Sequence, residues 1–259
     1  MSSFLPGQSV IFIGDHTSPD HPGYVGIVAE VLARFHPGLK LNLISAGSKG
    51  QSAAGLRSQA MMETLTSSRP DWLVIGIGLA DAMREPAAIR LKLEQQRHVA
   101  QHDEAAEATF GPEYKVRANT YNATTVSDNG PQTQPQLERL AVFQQNLAAA
   151  VSELLKAGVR PVLLTLATPG PDLDFPANAV LKAYSREIRS IAEQQEIPLV
   201  DLERAFHGVY DRAANYKQRI TLMEPSGELN AQGQSLVART FLASVGLLPE
   251  PGSRRPKRQ

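Results

Sequence analysis

"VIFIGDHTSPD", Val10 to Asp20, is the stretch on which the reading of the fold turns. Its four leading apolar residues are too few for a helix and lack the period of two that marks a half-exposed strand, so they read as a strand covered on both faces. The run stops at Gly14-Asp15, as a buried strand does where the chain leaves the rim of a sheet, and the next residue is His16. What a histidine does at that position is the question the rest of the chain has to answer.

Working outward, short apolar runs alternate with longer helical patterns. "SVIFI" is followed by a helical stripe from Tyr24 to Phe35, "LKLNLI" by one from Gly55 to Ser67, and "PVLLTL" by one from Ala177 to Gln195. "WLVIGI" and "PLVDL" are further strands, and Ala231 to Val245 is the last helix. The alternation predicts right-handed βαβ crossovers, hence a mostly parallel sheet with helices on both sides. Val25, Val28, Leu32 and Phe35 fall on one stripe, and Phe143, Leu147, Val151 and Leu154 repeat the spacing before Gly158 ends the helix.

Composition narrows the function. Twenty-six basic residues balance 26 acidic ones, so no global field gathers nucleic acid or an anionic membrane. The absence of cysteine excludes disulfides, thiolate catalysis and cysteine-ligated metals. The residues after Met1 lack a basic leader, and nothing approaches the roughly 20 apolar residues of a membrane span, so a cytoplasmic protein is expected. Asn122-Ala-Thr124 matches a glycosylation acceptor, which without an export signal is read as chance.

One domain is expected over 1–250, with an insertion at about 82–135 and a disordered basic tail at 251–259. The insertion combines a stretch of strong helix formers, "AAIRLKLEQQRHVAQHDEAAEATF", with a turn-rich second half. Insertions of this length act as lids or partner surfaces or stay disordered, and a homo-oligomer would form through this one. His98 and His102 stand at i and i+4 in it, a spacing that presents two imidazoles to one ion. The intervening "VAQ" lacks a glutamate and no third ligand is fixed, so polar residues on an exposed helix face account for the pair, and neither metal nor cofactor is expected. His21, beside Asp20 and Pro22, reads as loop punctuation.

Four blocks, in order, carry a resemblance: "IGDHTSPD", "NLISAGSKGQSAAGL", "IGLADAMRE" and "PSGELNAQGQSLVA". The chain resembles the SGNH/GDSL hydrolases, whose corresponding blocks hold Gly-Asp-Ser, a glycine after the second strand, Gly-x-Asn-Asp and Asp-x-x-His. The resemblance implies a three-layer α/β/α sandwich, flavodoxin-like, with a mostly parallel five-stranded sheet and its site at the carboxyl edge. Carried over by position, the nucleophile is His16, the general base Glu228, the orienting carboxylate Pro225 and the asparagine donor Ala80; of the core set only Gly50 remains.

Acyl transfer by that family's route needs a hydroxyl, an imidazole, a carboxylate and oxyanion donors. Alanine at 80 has no side-chain donor and proline at 225 neither holds a ring tautomer nor donates an amide proton. Ser18, Ser45, Ser48 and Ser52 surround the blocks without a Gly-x-Ser-x-Gly elbow, and read as caps and turns. The expected protein is therefore a non-catalytic member acting on an unknown small molecule or protein partner through a pocket of Asp15, His16, Gly50, Ala80, Asp81 and Glu228. A His16 to Glu228 contact is expected from the paired substitution at facing positions. A filled site, a pocket that binds without cleaving, and a rebuilt reaction all fit such a pair. An active hydrolase of small acyl or acetyl esters using other residues is the alternative.

Overall fold

The computed structural model describes residues 4–14, 23–48, 50–84, 134–168, 170, 176–215, 220–224 and 228–248 of the 259. The strands among them are β1 (Ser9–Gly14), β2 (Asn42–Ser45), β3 (Trp72–Gly76), β4 (Arg160–Leu164) and β5 (Leu199–Val200). They form one parallel sheet in the order β2-β1-β3-β4-β5. This is the flavodoxin-like order, and its direction of winding reverses between β1 and β3.

β1, β3 and β4 alternate their side chains between two cores. Val10, Phe12, Trp72, Val74, Val162 and Leu164 face one of them, packed by α1 (Gly23–Phe35), α7 (Leu202–Asn215) and α8 (Ala231–Ser244). Ile11, Ile13, Leu73, Ile75 and Leu163 face the other, under α3 (Gln59–Ser68), α5 (Gln134–Lys156) and α6 (Pro176–Gln194). Coverage of both faces is why these strands are continuously apolar. β2 departs from the expectation: as the edge strand it is half-buried to exposed along its length.

The helices follow the predicted stripes with three differences. Gly55–Ser67 is not one helix: Ser52 caps a single turn, α2 (Ala53–Leu56), by accepting from the Gly55 N–H at 3.2 Å, and the extended backbone of Ser58 restarts the chain as α3. A second short turn, α4 (Leu79–Ala82), follows β3 directly. α7 was hidden in sequence because "VDLERAF" runs from strand to helix without a loop; the Asp201 carboxylate caps it by accepting from the Arg204 N–H at 3.1 Å. Phe143, Leu147, Val151 and Leu154 are all buried, and Gly158, at φ +82°, ends their helix. Of the stripe on α1, Val25, Val28 and Leu32 are buried and Phe35 is half-buried.

One ion network fixes the carboxyl ends of β4 and β5. Arg189 on α6 donates to both oxygens of Asp201, at 2.7 and 3.0 Å, and to Glu203 at 3.0 Å. The Thr165 hydroxyl donates to Asp201 at 3.2 Å and accepts from the Glu203 N–H at 3.0 Å. Burial works against the Asp201 charge, but the hydrogen bonds from Arg189, the Arg204 amide and Thr165 outweigh it and hold the carboxyl below its ordinary range. Among the described residues no helix is long and apolar enough to cross a membrane.

A group whose folded pKa is depressed stabilises the fold above its unfolded value, about 3.9 for aspartate, and loses that contribution as pH falls through the folded value. Arg189→Met is expected to lower stability by about 1–2 kcal/mol at pH 7, since a fork of charged hydrogen bonds is lost at a partly exposed site. Urea midpoints of wild type and variant should draw together as the comparison is repeated at successively lower pH, below the unfolded value, as Asp201 takes up its proton.

Candidate functional site

β1, β2 and β3 run parallel, so their carboxyl ends stand along one rim of the sheet. β1 and β3 reach it in register, Gly14 opposite Gly76. Gly14 has φ +148°, and a Cβ on it would collide with the Gly76 carbonyl oxygen. Only glycine allows that approach. By strand alternation both glycines occupy the face of Phe12 and Val74, and at Gly76 an added Cβ would meet only ordinary contacts, to Leu164 and the Ile13 carbonyl. Beside them lies a hollow of about 20 Å³ walled by Tyr24, Leu79, Leu166, Leu229 and Val237.

Gly50 lies exposed in the loop after β2 at φ +81°. Beside it, Gln51 is buried with neither end of its amide hydrogen-bonded, a cost that the loop carries without structural return. Asp81, half-buried on α4, stitches this loop to the one after β3: its Oδ2 accepts from the Ala53 N–H at 3.0 Å. Its backbone carbonyl accepts from the Tyr184 hydroxyl at 3.5 Å. Burial, only partly offset by the Ala53 hydrogen bond and the charge of Arg84, pushes the Asp81 carboxyl up. Ala80 is half-buried in the first turn of α4 and offers a methyl group where a donor is absent.

In the fourth block Met223 forms an antiparallel bridge with Leu229, and the Glu228 carbonyl accepts from the Glu224 N–H at 2.7 Å. The Glu228 residue is exposed. Asn230 caps α8, its Oδ1 accepting from the Gln232 and Gly233 amides at 3.0 and 2.9 Å. Gln234 then accepts from the Tyr24 N–H at 2.8 Å, joining the starts of α8 and α1.

Gly50, Ala80, Asp81 and Glu228 thus lie on loops at one end of the sheet, with Gly50's loop and Asp81 in direct contact through Ala53. Asp15, His16 and Pro225 lie outside the described residues, as do the His16 to Glu228 contact, Ser18, His21, His98, His102, Asn122 and residues 85–133 of the insertion. Among the described residues no three His, Cys, Asp or Glu side chains are placed to hold a metal. Of the serines read as caps, Ser52 does cap a helix, while the Ser45 hydroxyl is buried without a hydrogen bond. Sequence reasoning missed Tyr24 and Gly76. The available signal was the repeat of an apolar run closed by glycine, "IFIG" and "LVIG", in two neighbouring strands.

The family model for GDSL-like lipases and acylhydrolases matches residues 12–234. The chain belongs to that family. It is 23% identical over 258 residues to an acetylxylan esterase of Geobacillus stearothermophilus, covering 93% of this chain and 94% of the relative. Among solved structures, a mutant of an acetyl-xylooligosaccharide esterase from Geobacillus superposes with a TM-score of 0.68 at 20% identity, covering 98% of this chain and 100% of that one. An α/β hydrolase from the metagenome of Lake Arreo matches at 0.65 and 19% identity, over 95% and 99% of the two chains. At these identities the superpositions speak for the fold, and they agree with the observed sheet order.

The carboxyl group at Asp81 gives a test of the stitch. A raised folded pKa means that stability is full below the unfolded value and declines as pH rises through the folded one. Asp81→Asn keeps an oxygen for the Ala53 N–H and removes the buried charge, so it should equal or exceed wild type in urea midpoint at pH 8. Asp81→Ala, which leaves that amide without its acceptor, should lose about 1–2 kcal/mol at the same pH.

Proposed function

We propose that this chain keeps the scaffold of its family without the serine esterase reaction, and that it acts by binding a small molecule or a protein at the carboxyl rim of the sheet. The observation that carries the reading is the set of residues at the family's four positions: His16, Ala80, Pro225 and Glu228. Losing one oxyanion donor typically costs about 10²- to 10³-fold in rate, and Ala80 has none to give. An exposed glutamate is a far weaker base than an imidazole poised near neutral pH, and nothing at 225 would orient it. Nucleophile, base and orienting group act as a unit, so their joint replacement removes the reaction rather than slowing it.

Ligand binding is supported by what the rim retains. A buried Gln51 amide without partners and a hollow between paired glycines both lower stability, and a scaffold released from all function would fill or solvate them. A pocket assembled from Asp15, His16, Gly50, Ala80, Asp81 and Glu228 is part of this proposal, with a His16 to Glu228 pair in place of the lost hydroxyl and imidazole. The second reading is an active hydrolase of small acyl or acetyl esters, including carbohydrate-linked ones, using residues outside the aligned set. Its support is the end-to-end similarity to an acetylxylan esterase.

The two readings part in one assay. Pure protein incubated with short-chain p-nitrophenyl esters and with acetylated xylo-oligosaccharides should give no turnover above the blank. Turnover that His16→Ala or Glu228→Ala abolishes would overturn the non-catalytic reading. The reconstructed variant His16→Ser, Ala80→Asn, Pro225→Asp, Glu228→His should gain weak esterase activity if, as this reading holds, the four positions face one another.

A further inference from the structure

The turn between β2 and α2 buries an amide that it does not satisfy. Gln51 is 7% exposed, and neither Oε1 nor Nε2 of its side chain has a hydrogen-bond partner among the described residues. An acceptor and two donors taken out of water with no replacement oppose the conformation that holds them. Folded proteins rarely keep such a group, and one that sits beside a movable turn marks a conformation with a close competitor.

The backbone on either side of this turn is firmly held. Downstream, Ser52 caps α2, Asp81 binds the Ala53 N–H, and Ala53 and Leu56 are fully buried. Upstream, the Ala46 N–H donates to the Phe12 carbonyl at 2.8 Å and pins the end of β2 to β1. Between these anchors Gly50 is exposed at φ +81°, and a Cβ on it would meet nothing within 4 Å. Glycine passes between positive and negative φ without the penalty of a side chain, and open space surrounds it here. The Gln51 N–H donates to the Ser48 carbonyl at 3.2 Å, so that bond reports whether the turn is closed.

We propose that this turn is a two-state element. It pivots at Gly50 between the closed form of the structure, which buries the Gln51 amide, and an open form that delivers the amide to water at the carboxyl rim. The closed form gains the burial of the Gln51 methylenes and the open form gains the hydration of its amide, and these opposed terms keep the two forms close in free energy. An occupant of the rim that hydrogen-bonds the released amide draws the turn open, because it binds that form alone. The inference holds for either reading of the rim, since it concerns the scaffold and not His16, Ala80, Pro225 or Glu228.

Amide hydrogen exchange at position 51 tests it. In wild type this N–H should exchange through a local opening, with protection well below that of global unfolding and insensitive to low urea. Gln51→Met keeps the length of the side chain and removes its polar end, so it should raise protection at position 51 at least tenfold and raise the urea midpoint. Gln51→Glu buries a charge without a partner in the closed form, so at pH 7 it should lower that protection at least tenfold, still independently of low urea. Wild-type exchange that follows global unfolding overturns the proposal. So does unchanged protection or a lowered midpoint in Gln51→Met, the behaviour of an amide satisfied by an ordered water in a rigid turn. Should Gln51→Met fail to fold, Gln51→Glu decides alone, and unchanged protection in it is fatal.

Discussion

Where β1 and β3 run out together, two backbones pass closer than any side chain at Gly14 would permit, since its Cβ would strike the Gly76 carbonyl. That approach lies at the point where the winding of the sheet reverses, the place where open α/β sheets generally bind ligands. The close contact sets how near the ends of β1 and β3 stand, and the small hollow lies beside them. A larger residue at position 14 would force the strands apart and dissolve the rim that every other feature of the site is hung on.

Among the described residues around this crossing, a few specific hydrogen bonds join the loops to one another. Asp81 joins the second loop to the third, and Gln234 joins α8 to α1. Farther along the rim, Arg189 clamps Asp201 and Glu203 at the exit of β5. None of these groups belongs to the acyl-transfer apparatus of the family. These contacts hold the scaffold together through residues other than His16, Ala80, Pro225 and Glu228.

Fold class was legible because the three central strands are covered on both faces and show it as unbroken apolar runs. β2, exposed at the edge, was legible only through its neighbours, and its expected start at Leu39 was too early because "LK" belongs to the turn before it. α7 escaped notice because its first turn is capped by the last strand's own Asp201, leaving no loop to mark the change of period. The split between α2 and α3 escaped for a related reason: a serine that caps one turn and a second serine that restarts the next both look like polar residues on one helix face. At the site, Tyr24 was not legible, since a tyrosine at a helix start carries no sign of the hollow it will line.

The two margins of the sheet are unequal, and this bears on how the protein behaves in concentrated solution. β5 is only two residues long, too short to template anything. β2 is longer, and Asn42 and Ile44 lie open along it, with Ile44 40% exposed. A strand of that kind invites edge-to-edge addition by another polypeptide, a route to aggregation during refolding, and Lys40 at its entrance is the sort of charge that deters it. The charge that guards this margin thus stands at the strand's entrance, apart from the carboxyl rim where the four blocks lie in sequence order.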